Sequence, residues 1–189
     1  MSEQYIGLFD GWEDQTDETA FVRRHLTGLS GPVLDLGCGP GHWTAYLHSF
    51  GADVTGVDMV PEFIEHARAT HSGPEFLLGL MNESDVPEHS VAGILSWYST
   101  IHMSPPELKQ GLSEFRRLLR SSGVLVIGFF DSDDAVATFD HKVATAYRWP
   151  VDVLSEYLSE AGFTELERLQ HQFPERPDRK FAAIAAQAS

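Results

Sequence analysis

Apolar positions along the chain follow two rhythms that alternate: stripes at every third or fourth residue, and short runs that are apolar nearly throughout. "EDQTDETAFVRRHLTGL" puts Val22, His25, Leu26 and Leu29 on one helical stripe. "PVLDLG" is a short apolar run, and "HWTAYLHSF" after it reads as a helix stopped by Gly51. "DVTGVD" is the next strand, and Val60, Phe63, Ile64 and Ala67 mark the buried face of the next helix. "EFLLGL" and "VAGILSWY" follow as strands, separated by the polar link "MNESDVPEHS". "SPPELKQGLSEFRRLLRSSG" opens with serine before proline, closes on glycine and carries Leu108, Leu112, Phe115 and Leu119 on one stripe. "GVLVIGFF" is apolar throughout, as a strand covered on both faces must be.

Residues 131–149 show no clear period and read as a long loop. "VDVLSEYLSEAG" is a last helix, with Leu154, Tyr157, Leu158 and Ala161 inward. "TELERLQHQ" and "KFAAIAAQA" close the chain as an antiparallel pair around the turn "FPERPDR". Strands separated by helix-length segments predict an α/β fold. The expected form is a single Rossmann-like doubly wound domain over 1–189. Its seven-stranded sheet is mostly parallel, with only the last strand pair antiparallel and helices on both faces. Such sheets bind ligands beyond the carboxyl ends of their strands. Every candidate residue below lies at one of those ends or in the leader.

Three glycines crowd into five positions after the first strand, in Asp35-Leu36-Gly37-Cys38-Gly39-Pro40-Gly41. A dinucleotide fingerprint needs its third glycine where this chain has His42, so that reading fails. A tight strand-to-helix turn would also use glycine, for its positive φ. Asp58, about 20 residues beyond the loop, ends the second strand, where an acid can accept hydrogen bonds from ribose hydroxyls.

This G-x-G-x-G spacing, with an acid two residues before it, resembles motif I of the class I methyltransferases that use S-adenosylmethionine. The resemblance runs over the whole chain and implies a cofactor site without a phosphate. Asp35 would sit near the ammonium of the methionine part, directly or through water. Gly37, Cys38, Gly39 and Gly41 would line the ribose and the methionine part. Asp58 would hold the ribose, and Met59 would lie against adenine. Two acids usual in the family are missing, with Leu80 in place of the one that contacts adenine and Ala92 in place of the one before the fourth strand, so the adenine contact would fall to the backbone at Met81 or to Asn82. A carbonyl near Ser96 or Trp97 would accept from the ammonium. The same resemblance divides the chain into an N-terminal lid and helix (1–30), a cofactor-binding core (31–130), a substrate loop (131–149) and a C-terminal helix with strand pair (150–189).

Tyr98 and His102 are the candidate catalytic residues, expected to face the transferred methyl; the His102 imidazole would serve as a base, or packs the following loop. Tyr5, Trp12, His141, Tyr147 and Arg148 are candidates for the acceptor side. The first two lie in an aromatic, acidic leader, and Arg148 is able to pair with a carboxylate or phosphate.

Charge then narrows the partners. With 28 acidic and 13 basic residues the formal charge is −15, which disfavours nucleic acid and anionic membranes. No apolar stretch approaches a membrane span, and the acidic start lacks the features of a signal peptide. The single cysteine, Cys38, permits no intrachain disulfide. A cytoplasmic location is expected. The nine histidines lack ligand spacing, so no metal is expected. These readings converge on methyl transfer from S-adenosylmethionine to a small-molecule acceptor, leaving S-adenosylhomocysteine. A non-catalytic module binding the same cofactor and an enzyme acting on a protein or peptide are the alternatives.

Overall fold

The computed structural model describes residues 16–81, 86–141, 145–172 and 180–189. Tyr5, Trp12 and Asn82 lie outside these residues. The elements are α1 (Asp17–Leu26), β1 (Val33–Leu36), α2 (His42–Ser49), β2 (Val54–Asp58), α3 (Pro61–Thr70) and β3 (Glu75–Leu78). They continue with β4 (Val91–Trp97), a single 3-10 turn (Thr100–His102), α4 (Pro105–Leu118), β5 (Leu119–Asp131), β6 (Ala137–Asp140) and β7 (Thr145–Trp149). The last are α5 (Val151–Glu160), β8 (Phe163–Gln172) and β9 (Lys180–Ala188).

Strands β3, β2, β1, β4 and β5 pair in that order, all parallel. β9 runs antiparallel along β5 and carries β8 antiparallel on its other edge. The period of two on β5 assigns the helices to opposite faces. Leu125, Ile127 and Phe129 pack with Leu108, Leu112 and Phe115 of α4 and Leu154 and Leu158 of α5. Val124 and Val126 pack with Phe21, Val22 and Leu26 of α1 and with Trp43 and Leu47 of α2. Each face of β5 is thereby covered over Val124–Phe129, the arrangement a nearly all-apolar strand requires.

Two elements differ from the sequence pattern. The segment 131–149, expected as a loop, forms the hairpin β6–β7, which takes the sheet to nine strands; β7 joins β5 in parallel at Phe130 and Asp131. Its alternation is hidden because β6 is mostly exposed and so needs no apolar face. α4 ends at Leu118 rather than at the glycine, and Leu119 already pairs with Val91 of β4. The apolar stripe of the helix passes directly into the strand, so composition leaves no boundary there. At the other end α4 opens as expected, with Ser104 and Glu107 in a capping box and Pro105 in the first turn.

Candidate active site

The crossover after β1 runs through α2 on one face, and the crossover after β4 runs through α4 on the other. The carboxyl ends of β1 and β4 therefore flank a topological switch point, where a doubly wound sheet opens a crevice. The glycine loop and the segment from Trp97 to His102 meet there.

Gly37, Gly39 and Gly41 all have positive φ, at 78°, 53° and 90°. A side chain added to each would meet something different. At Gly37 a Cβ would lie 2.3 Å from Ser99 Cβ, and at Gly41 it would lie 2.7 Å from the ring of Phe76. The space these two glycines create is filled by the protein itself. Of the three, Gly39 faces open space, with no atom of the described residues within 4 Å of such a Cβ. The loop is tied to β2 by the Gly37 and Cys38 N–H groups, which both donate to the Val57 carbonyl, at 2.7 and 3.1 Å. Cys38 is buried, and burial pushes its thiol far above the ordinary range, so it acts as a small apolar packing residue.

Asp58 fastens the same loop from the end of β2. Its Oδ2 accepts from Gly39 N–H and its Oδ1 from Val60 N–H, both at 2.9 Å, and the residue is 9% exposed. Burial raises its pKa while these backbone donors oppose the rise. The Met59 N–H acts on the same carboxylate, whose four or so lone-pair sites exceed these backbone donors. Beside it Met59 is 64% exposed, an apolar side chain standing open where a flat ring would cover it. Met81 reaches the other flank of the loop, its Cε 3.1 Å from a Cβ placed at Gly37.

Asp35 is turned away from this space. Strand alternation sends it to the α2 face with Val33, where it is 1% exposed and accepts from Thr44 Oγ1 at 2.6 Å. Of its two routes to a ligand ammonium, only the one through water fits this placement. Burial pushes its carboxyl up to about 7, with the Thr44 hydroxyl opposing and Asp58 adding to the rise. The folded state therefore keeps a proton that the unfolded chain releases near pH 4. Stability should fall as pH rises from about 4 to about 7 and level off above. Urea unfolding across this range is expected to show that decline, and Asp35→Asn to remove it.

On the β4 side Ser96 is fully buried, its Oγ 2.8 Å from Ser99 Oγ. Ser99 Oγ donates to the Leu36 carbonyl at 2.7 Å, so its only proton is committed and Ser96 is the donor between them. The two sides of the crevice are joined by this chain. The Trp97 ring lies over Gly128 and 5.0 Å from the Trp43 ring, inside the α1–α2 face. Tyr98 takes a left-handed φ of 52°, uncommon for a residue other than glycine and a frequent mark of functional sites.

Tyr98 begins a row of half-buried rings along the carboxyl edge. Phe130 stands 5.0 Å from Tyr98, Phe139 5.3 Å and Phe181 5.5 Å from Phe130, and His141 6.0 Å from Phe139. Arg148 lies over the Phe139 ring at 4.6 Å, and Tyr147 packs toward Trp149. His102 is exposed, 5.5 Å from His141 ring to ring, and its Nδ1 lies 3.0 Å from the Thr145 carbonyl. A carbonyl only accepts, so Nδ1 is the donor in this bond and Nε2 is the nitrogen left facing outward from it. The hairpin thus brings His141, Tyr147 and Arg148 to the same edge as Tyr98 and His102.

Sequence reasoning missed Thr44, Ser99, Phe130, Phe181, Glu18 and His171. No motif marks them. Each gains its place from pairing or crossing of elements far apart in the chain. Among the described residues, no group of three or more His, Cys, Asp or Glu is arranged to hold a metal ion, and no helix is long and apolar enough to cross a membrane.

A glycine loop at the switch point, an acid ending the neighbouring strand and an antiparallel strand beyond the parallel set together define a Rossmann-like methyltransferase fold. Residues 33–123 match a family model described as a methyltransferase domain, and this match together with the relatives below supports a class I S-adenosylmethionine-dependent methyltransferase. It is similar to the Burkholderia thailandensis 1,6-didemethyltoxoflavin-N1-methyltransferase, whose structure holds 1,6-didemethyltoxoflavin and S-adenosylhomocysteine. The TM-score is 0.78 at 26% identity, covering 100% of this chain and 87% of that one. An uncharacterised methyltransferase of Bacillus pumilus is 25% identical over 194 residues, covering 87% of this chain and 91% of the relative. The malonyl-[acyl-carrier protein] O-methyltransferase of Salmonella typhimurium is 29% identical over 120 residues, or 59% of this chain. The chain spans 47% of that relative's length.

Proposed function

We propose that the protein transfers the methyl group of S-adenosylmethionine to a small-molecule acceptor. The observation that carries this is the open space over Gly39, bounded by Asp58 and by the exposed Met59. Backbone alone faces the ligand at Gly39, as close approach to a ribose and an amino acid requires. Asp58 holds ribose hydroxyls through its remaining lone pairs, Met59 covers the adenine, and Met81 closes the flank. The contents of one relative favour a small acceptor: the 1,6-didemethyltoxoflavin-N1-methyltransferase, 26% identical and aligned with all of this chain, holds 1,6-didemethyltoxoflavin.

When bound, S-adenosylmethionine supplies an electrophilic methyl carbon on a sulfonium, with a neutral thioether as leaving group. The chain's own task is positioning, worth many orders of magnitude when the reacting atoms are held in line. Tyr98, Phe130 and Phe139 form a wall against which an acceptor is oriented, and the hairpin carries Arg148 and His141 to its rim. The Nε2 lone pair of His102 takes up a proton where the acceptor releases one. Incubation with methyl-labelled S-adenosylmethionine and a panel of small amines, phenols and thiols tests this reading. Label is expected in the small-molecule fraction; label only in added protein, or none above the uncatalysed rate, would refute it.

A further inference from the structure

Glu18 belongs to no motif, yet it sits at the ligand end of the sheet. It lies in the first turn of α1, its side chain 26% exposed, in a narrow crevice with Trp97 from β4, His171 from β8 and Phe181 from β9. Among the described residues its polar partners are Tyr98 Oη and His171 Nε2, each at 3.5 Å, the outer limit of a hydrogen bond. No lysine or arginine among the described residues pairs with it. Burial lowers the His171 pKa, with Asp17 opposing, and raises that of Glu18, with the Tyr98 hydroxyl opposing; neither partner brings a fixed positive charge to the carboxylate. Three rings adjoin the same place: Trp97 stands 5.5 Å from Tyr98, and Tyr98 5.9 Å from Phe181.

A mostly covered carboxylate without a cation is costly unless a partner arrives. Aromatic rings around it favour a positive charge over water. We propose that Glu18, with the rings of Trp97, Tyr98 and Phe181, binds a positively charged nitrogen on the methyl acceptor, which makes the acceptor an amine-bearing molecule. This rests on the methyl-transfer reading, because Trp97 and Tyr98 end the strand that borders the cofactor crevice. A charge serving only the positive end of α1 would instead affect the helix and no ligand.

Phenethylammonium and 2-phenylethanol share a ring and chain length and differ in charge. Each is titrated into the chain saturated with S-adenosylhomocysteine, with heat and tryptophan fluorescence as readouts. The amine is expected to bind about tenfold more tightly than the alcohol, and Glu18→Gln to bring the two within about twofold, with the affinity for S-adenosylhomocysteine kept. Trp97→Leu is expected to weaken the amine by about fivefold and the alcohol by less. Equal binding of the two probes, no detectable binding of either, or a preference that survives Glu18→Gln overturns the assignment of Glu18. Failure of S-adenosylhomocysteine itself to bind would instead overturn the methyltransferase reading beneath it.

Discussion

Gly37→Ala is expected to destabilise the chain by about 3 to 5 kcal/mol, the range of severe core disruption. Two effects act together. The backbone has a φ of 78°, which costs an L-residue roughly 1 kcal/mol or more. The new methyl would also lie 2.3 Å from Ser99 Cβ and 2.9 Å from Ser99 Oγ. Ser99 has little freedom to yield, because its hydroxyl donates to Leu36 and receives from Ser96. Moving it breaks the hydrogen-bonded link between the ends of β1 and β4. Gly39→Ala provides the contrast: its φ of 53° is strained too, but nothing among the described residues stands within 4 Å. That variant should lose about 1 kcal/mol of stability and nearly all cofactor affinity, since its methyl enters the ligand space. Urea unfolding and ligand titration of the pair separate the two roles. Equal stability of the variants would show that Ser99 does not confine Gly37.

Asp58→Ala is expected to weaken S-adenosylhomocysteine binding by about 1.5 to 3 kcal/mol, a factor of roughly 10 to 150. The carboxylate has two duties at once. It accepts from Gly39 and Val60 N–H, fastening the loop to the end of β2, and in the proposed complex its remaining lone pairs would hold ribose. Truncation leaves the Gly39 and Val60 N–H donors without this acceptor, so a loss of stability of about 2 kcal/mol should accompany the lost affinity. Asp58→Asn keeps an oxygen for one donor and should fall between the two. An alanine variant that binds as tightly as the natural sequence would remove Asp58 from the site.

The parts legible in the sequence are those whose signal is local. Gly37, Gly39 and Gly41 with Asp35 marked the loop because spacing along the chain is itself the constraint. The stripe of Leu108, Leu112 and Phe115 marked α4 because one helix face is buried as a unit. What escaped was set by tertiary geometry. Ser99 confines Gly37 only because β1 and β4 are neighbours. The β6–β7 hairpin pairs Thr138 with Tyr147 and Asp140 with Thr145 along a mostly exposed strand, and so shows no apolar alternation. Asp35 was legible as important, but its direction was not. Only the register of β1 shows that it faces Thr44 and the interior. Glu18 reads in sequence as an ordinary acid at a helix start, and gains meaning only when β8 and β9 bring His171 and Phe181 beside it.

The central claim is that the loop between β1 and α2 holds S-adenosylmethionine, and calorimetry tests it most directly. S-adenosylmethionine, S-adenosylhomocysteine and NAD are each titrated into the natural chain. The first two are expected to bind one per chain with micromolar affinity, about −8 kcal/mol, and NAD to give no saturable heat. Saturable NAD binding, or no binding of either adenosyl ligand, would contradict the account.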